Sequence, residues 1–390
     1  MEICGIIAEY NPLHDGHAHQ IQETKKILGD VYMLAVMSGN FVQRGEPAIF
    51  NKYIRAKSAC NYLDCVVELP AAFSLSPAED FAFFGIKILN EIGTKYISFG
   101  SECGDLEKLE KISKIIFSED KQFKSLLKQN LNSGLGYAIS KTNTLIEIFQ
   151  RDSKILEILN KPNNLLGVEY LTAIKRQNSK IIPITIKRVH NYNKEDVGKL
   201  MSATTIRKVL KSGKIVDLKE HLSSPVFENI KDNFEKFNLP DEKTLGGLIN
   251  YKINTSNLKS INGIVEGLEN RFKSLADSNL ESMLESVKTK RYTYSKLKRV
   301  SMNILLDIDK KTVAKAKKVK PYIKILAVKN KEILSYLNKK NCLVLTDLKS
   351  FKGVKNKALK KLIELDNLSD KIYEILINKK IEVLNIDIKK

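Results

Sequence analysis

Over the first 190 residues, short apolar runs rich in Val, Ile and Tyr alternate with segments of helical spacing, and this alternation restricts the fold more than any other feature of the chain. The runs at 3–8 (ICGIIA), 31–37 (VYMLAVM), 64–69 (DCVVEL), 95–99 (KYISF) and 180–186 (KIIPITI) read as buried strands. Segments 16–28, 52–62, 77–91, 105–117 and 164–177 between them read as helices. Two carry start signals: Ser76-Pro77 puts proline at a first helical position, and Asp105 precedes Leu106, Leu109 and Ile112. Strand and helix in alternation imply an α/β fold, a Rossmann-like parallel sheet with helices on both faces and right-handed crossovers. Ligands of such sheets sit outside the carboxyl ends of the strands.

Past about residue 215 the pattern changes to helical runs with sparse proline, and a small strand pair is expected near 322–328 and 342–346. The expectation is an α/β domain over 1–215 followed by a mainly helical, basic C-terminal domain over 216–390, with the boundary between 205 and 235. Charge separates the same halves. Residues 1–200 hold 25 Lys+Arg against 23 Asp+Glu, whereas 201–390 hold 40 against 22, so nearly all of the net +20 lies in the second half. Such asymmetry fits either a nucleic-acid or anionic partner or a lysine-rich solvated helical surface. No run approaches the roughly 18 to 20 apolar residues of a membrane span, and no basic segment precedes a signal-type apolar stretch. Cys4, Cys60, Cys65, Cys103 and Cys342 are scattered without a C-x-x-C pair, against a disulfide framework or zinc site. These features place the chain in the cytoplasm, with no protein-bound metal.

The stretch EYNPLHDGHAHQI (9–21) lies where the first strand runs through Asn11-Pro12 into the first helix. His14, Gly16 and His17 therefore fall at a strand-to-helix junction. The chemistry is that of a phosphate site: helix N-terminal amides favour an anion, glycine admits close backbone approach, and imidazoles add donors. His19 reads as a helix-surface side chain. Later, MSATTIRKVL (201–210) places Ser202, Thr204 and Arg207 as S-x-T-x-I-R at a helix start, where hydroxyls and an arginine fork suit pyrophosphate.

H-x-G-H after the first strand, followed by S-x-T-x-I-R, resembles the nucleotidyltransferase superfamily related to class I aminoacyl-tRNA synthetases. In that reading an acceptor oxygen attacks the α-phosphorus of ATP and pyrophosphate leaves in line. His14 and His17 would stabilise the developing charge and Arg207 the leaving group, with Mg2+ carried mainly by phosphates and water.

Five further segments, MSGNFVQRGEPAIFNKYIRAK (37–57), VVELPAAFSLSPAEDFAFFGIKIL (66–89), FGSECGD (99–105), PNNLLGVEY (162–170) and VKTKRYTYSKLKRV (287–300), together resemble the tRNA(Met) cytidine acetate ligase family. The resemblance runs from Met1 to at least KPYIKILAV at 320–328 and departs from the family pattern at Gln20, Asn51 and Tyr53. It implies two steps: acetate and ATP form acetyl-adenylate, and the acetyl group passes to N4 of the wobble cytidine of elongator tRNA(Met). It also implies ATP contacts along Ile7, Ala8, Glu9, Tyr10, Asn11, Pro12, Leu13, His14, Asp15, Gly16, His17, Ala18, His19 and Gln20, and at Gly100, Asn164 and Arg188. Asn164 suits, equally, a cap for a helix beginning at Leu165. Arg188 suits either phosphate or a surface ion pair. The alternative activity is an adenylyltransferase for a small phosphorylated metabolite, with the basic half as an accessory domain.

Asn40, Gln43 and Arg44, between a strand and a helix, read as a functional loop for acetate or tRNA. Glu46, Glu102 and Asp105 are the candidate acceptors for the N4 proton. From Lys288 to Lys331, 15 basic residues face two acids, and Lys288, Lys290, Arg291, Lys298 and Arg299 interleave with Tyr292 and Tyr294. Basic side chains bind phosphate, and tyrosines stack on unpaired bases such as those of an anticodon loop. A solvated helix with its tyrosines in the core is the other reading of this segment.

Overall fold

A computed structural model describes the chain except for residues 151, 189–200, 266, 278, 341, 347–352 and 382–390. Its strands are β1 (Ile3–Ala8), β2 (Tyr32–Ser38), β3 (Phe41–Val42), β4 (Glu46–Pro47), β5 (Cys65–Leu69), β6 (Tyr96–Ser101), β7 (Ile182–Lys187), β8 (Tyr322–Val328) and β9 (Leu343–Leu345). The strands expected in the first half form within about two residues of their expected bounds. β7, β6, β1, β2 and β5 lie side by side in that order, all parallel, with Ile3 opposite Tyr32 and Ala8 opposite Met37.

Side-chain alternation along β1 divides the core between the two faces of the sheet. Ile3 and Ile7 pack with Phe84, Leu89 and Leu171 of helices Ala78–Ile92 and Pro162–Arg176. Cys4 and Ile6 point the other way, toward Ile21, Ala56 and Ile206 of helices Asp15–Leu28, Lys52–Ala59 and Ala203–Lys211. A strand buried on both faces is continuously apolar, and this is why these runs were legible as strands.

The strand pair expected in the second half forms, and it extends the sheet of the first half. β8 pairs antiparallel with β5, Cys65 opposite Val328, and β9 lies parallel to β8. Seven strands drawn from both halves thus make one sheet. A buried charge cluster closes this seam. Lys52 Nζ lies 2.9 Å from Glu68 and 2.6 Å from Asp370, and Lys324 Nζ lies 2.8 Å from Glu68. Burial alone would push the Glu68 carboxyl up, but Lys324 and Lys52 outweigh it and hold it low. Helix Lys357–Ile377 supplies Asp366, Asp370 and Tyr373, which bond the Ala71 amide, the Asn40 side chain and the Ala48 carbonyl at 2.8 Å each. Helix Lys357–Ile377 therefore buttresses the loop after β2.

Candidate active site

The turn after β1, with a cis Asn11-Pro12 peptide, delivers His14 as the N-cap of helix Asp15–Leu28. His14 Nδ1 accepts from the Gly16 amide at 3.1 Å, and the His14 amide donates to His17 Nδ1 at 3.3 Å. This reciprocal cap satisfies amides that a helix start leaves free. It also stacks the two imidazoles, with ring centroids 3.8 Å apart, while Tyr10 meets the edge of His17 at 5.0 Å. Burial, helped by Arg188, pulls His14 down to about 4; burial, His14 and Arg188 hold His17 well below its ordinary value. Both rings are neutral at pH 7. Because each Nδ1 accepts, each proton sits on Nε2 and leaves a donor there.

Helix Ala203–Lys211 brings in the second motif. Ser202 caps it, Oγ accepting from the Thr205 amide at 3.1 Å. Arg207 donates to the Asn11 carbonyl at 2.8 Å and to Thr204 Oγ1 at 3.3 Å, and stands 3.2 Å from Glu46 Oε1. Arg207 thereby fastens the two motifs to each other. At the end of β1 the Glu9 carboxylate accepts from the Gln43 amide at 2.9 Å. Burial raises its pKa against the opposing pull of Arg44 and Arg207.

These groups line one cleft of about 650 Å³ at the carboxyl ends of β1 and β6. Its walls include Ile7, Ala8, Glu9, Tyr10, Asn11, His14, His17, Gln20, Gln43, Arg44, Gly100, Arg188, Ser202, Thr204 and Arg207. The rest of the expected ATP segment lies outside the lining. Leu13 and Ala18 pack into the core, Gly16 is engaged through its amide, and Asp15 accepts from the Ser223 amide at 2.9 Å. Pro12 and His19 do not reach the cleft wall either.

Several expected roles change. Asn164 is buried behind the wall in the first turn of a helix that starts at Pro162, so it does not cap Leu165. Its Oδ1 instead accepts from the Glu102 and Cys103 amides at 2.8 and 3.1 Å, fixing the loop after β6. Glu102 answers by accepting from the Asn163 and Asn164 amides, and Asp105 caps helix Leu106–Ser118, so both carboxylates are committed to helix starts. Glu46 faces Arg207 and Lys298. Asn40 is fully buried, donating to Asp370 and accepting from the Lys52 amide, which takes it out of the loop's binding surface. Of the departures from the family pattern, Asn51 caps helix Lys52–Ala59 as an aspartate would, and Gln20 donates to the Ser98 carbonyl at 3.2 Å.

The basic segment packs beside this cleft, against Gly45 and Gly136, whose chain neighbours Arg44 and Tyr137 line it, and the two glycines permit the approach. A Cβ on Gly45 would stand 2.4 Å from the Arg299 amide nitrogen, and one on Gly136 would stand 2.9 Å from the Arg291 carbonyl oxygen. Gly45 also has φ +75°, open to glycine at little cost. Lys288, Lys290 and Arg291 are exposed. Tyr292 is core: it is 6% exposed, and its hydroxyl donates to the Val265 carbonyl at 3.2 Å, so the ring is not available to stack on RNA. Arg299 is half-buried, and that burial lowers its pKa. Tyr294 is half-buried with Lys298 Nζ 5.3 Å from its ring centroid, and both line a second cleft of about 700 Å³ that meets the first at Arg207.

Helix Tyr137–Ile148 closes one side of the first cleft with Tyr137, Lys141 and Leu145. Residues 121–159 carried helix signals, Asp120 and Asp152 both capping helices, but nothing local says that these helices fold over the nucleotide turn.

The HIGH Nucleotidyl Transferase family matches residues 1–385 of the chain. A tRNA(Met) cytidine acetate ligase of Caldicellulosiruptor saccharolyticus is 40% identical over 96% of this chain and 94% of its own, and one of Acetivibrio thermocellus is 37% identical over the same shares. The crystal structure of Thermotoga maritima TmcAL bound with alpha-thio ATP superposes with a TM-score of 0.88 at 28% identity, covering 98% of this chain and 97% of that one. Its apo form superposes with a TM-score of 0.90 at 29% identity, covering 100% and 98%. Likeness at this level spans both halves of the chain and not the nucleotide-binding sheet alone, and on that ground the chain belongs to the tRNA(Met) cytidine acetate ligase family.

Proposed function

We propose that the protein activates acetate with ATP and transfers the acetyl group to N4 of the wobble cytidine of elongator tRNA(Met). The observation that carries this reading is the packing of the basic segment against Gly45 and Gly136, whose chain neighbours Arg44 and Tyr137 line the cleft that holds both phosphate-type motifs. An acetate oxygen attacks the α-phosphorus of ATP and the bond to pyrophosphate breaks. The neutral His14 and His17 donate through Nε2–H to the phosphate oxygens, and Ser202, Thr204 and Arg207 hold the departing pyrophosphate. The cytosine N4 then attacks the acetyl carbonyl, AMP leaves and N4 loses a proton. A mixed anhydride is needed because the N4 lone pair is delocalised into the ring. Mg2+ would travel on ATP phosphates and water, the hard oxygen ligands it prefers.

Ile7, Ala8, Glu9, Tyr10, Asn11, Gln20, Gly100 and Arg188 would enclose the nucleotide, with Asn164 acting through the loop it holds. Residues 1–215 would carry the adenylate chemistry and 216–390 most of the tRNA contact. Cytoplasmic tRNA chemistry is consistent with the described residues, in which no helix is long and apolar enough to cross a membrane.

The test is incubation with ATP, acetate and unmodified elongator tRNA(Met), followed by nucleoside digestion. N4-acetylcytidine and acetate-dependent pyrophosphate are expected. Pyrophosphate driven by a phosphorylated metabolite and indifferent to acetate would favour the adenylyltransferase reading instead.

A further inference from the structure

We propose that Lys141 and Glu169 read the Watson–Crick edge of the acceptor cytosine, with the Tyr137 ring beside them as its stacking surface. This rests on the reading of the protein as a tRNA cytidine acetate ligase. Lys141, on helix Tyr137–Ile148, donates to Glu169 Oε1 of helix Pro162–Arg176 at 2.7 Å, and the two side chains are 9% and 13% exposed. Both line the same cleft as His14, His17 and Arg207. Glu169 Oε2 is shielded from solvent and has no hydrogen-bond partner among the described residues. A buried acceptor left unpaired is costly, so a site that keeps one is suited to a donor arriving with the ligand.

The geometry of the pair selects that ligand. Side by side, Glu169 Oε2 offers an acceptor and the Lys141 ammonium, with protons to spare beyond Glu169, offers a donor. Cytosine presents the complement on adjacent atoms, an N4–H donor and an N3 acceptor. Uracil presents the reverse and sets O4 against the carboxylate. Tyr137, one helical turn before Lys141, is 50% exposed on the same wall and supplies a ring face for a base. Gly136, next to it, touches the Arg291 carbonyl, so the stacking ring stands at the foot of the basic segment that would hold the anticodon phosphates.

Adenine carries the same donor and acceptor order at N6 and N1, so ATP is the other source of this chemistry. The contact with the basic segment favours the tRNA base, and the experiment separates the two. Elongator tRNA(Met) carrying C34 or U34 is used as competitor for wild-type and Glu169→Gln protein. The wild type should prefer C34 by about tenfold or more, and the variant, whose amide can turn an N–H to O4 while Lys141 still favours an acceptor at N3, by several-fold less than the wild type. Preference for ATP over purine-riboside triphosphate in acetate-dependent pyrophosphate exchange is measured alongside.

An unchanged C34/U34 ratio in the variant overturns the proposal. So does a collapse of the ATP preference, which would assign the pair to adenine. A second measurement needs no variant: with 5-iodocytidine at position 34, which keeps the cytosine donor and acceptor edge, irradiation of the wild-type complex should cross-link within residues 137–148. A cross-link confined to the second cleft, near Tyr294, would overturn the assignment. Wild-type protein that makes no N4-acetylcytidine sinks the parent reading; wild-type protein that does, but fails these arms, sinks this one alone.

Discussion

At the floor of the cleft His14 is buried and His17 half-buried, the two stacked on each other and neutral, whereas at the rim beside it Lys288, Lys290 and Arg291 are exposed and charged. The floor is made by one local turn whose donors are pre-aimed by helix capping. The rim is made by chain far away in sequence, brought there by close packing against Gly45 and Gly136. A floor of neutral donors suits charge that develops during reaction, and a rim of exposed cations suits a polyanion held before and after it.

The largest expected effect comes from breaking the seam that joins the two regions. Lys52→Met strips the Glu68 and Asp370 carboxylates of a buried partner, and a loss of about 3–5 kcal/mol should appear as a lower denaturant midpoint. An unchanged midpoint would mean that floor and rim are held together by apolar packing alone.

Next, His17→Ala should lower acetate-dependent pyrophosphate exchange by about 10²- to 10³-fold while tRNA affinity stays within about twofold. Replacing Lys288, Lys290 and Arg291 by Glu should do the converse, weakening tRNA binding and flattening its dependence on log salt by about two to three. Equal losses in both assays, for either protein, would erase the distinction between floor and rim.

The pH dependence of stability tests the floor by itself. His14 is depressed from an ordinary 6.5 to about 4, chiefly by burial. Below pH 6.5 the unfolded chain takes up the proton first, so the stabilisation is complete above 6.5 and is lost as pH falls toward 4. About 3 kcal/mol should disappear over that window in nucleotide-free protein, and His14→Gln should remove that part of the slope in thermal unfolding. The smallest effect belongs to the rim. Tyr292→Phe removes the hydroxyl that donates to the Val265 carbonyl, costing about 1 kcal/mol in stability and leaving tRNA affinity as it was.

How far residues could be read in advance tracks the range of the interactions that decide them. His14, Gly16, His17, Ser202 and Arg207 were legible because capping and anion binding at a helix start depend on neighbours one to four positions away. The strands were legible because burial on both faces leaves an unbroken apolar run. Asn164, Asn40 and Tyr292 were not. Each has side-chain bonding potential that suits a ligand or a scaffold equally well, and the choice fell to partners 12 to 330 positions distant.

By itself, then, the sequence determined the parallel sheet, the phosphate turn and the basic excess of the second half, since these follow from periodicity, local capping and composition. Only the tertiary structure decided that β8 and β9 complete the sheet of the first half, that helix Lys357–Ile377 braces the loop after β2, and that the Lys141–Glu169 pair faces the nucleotide turn. Sheet-edge pairing and side-chain burial are set by which surfaces meet, and no single segment carries that information.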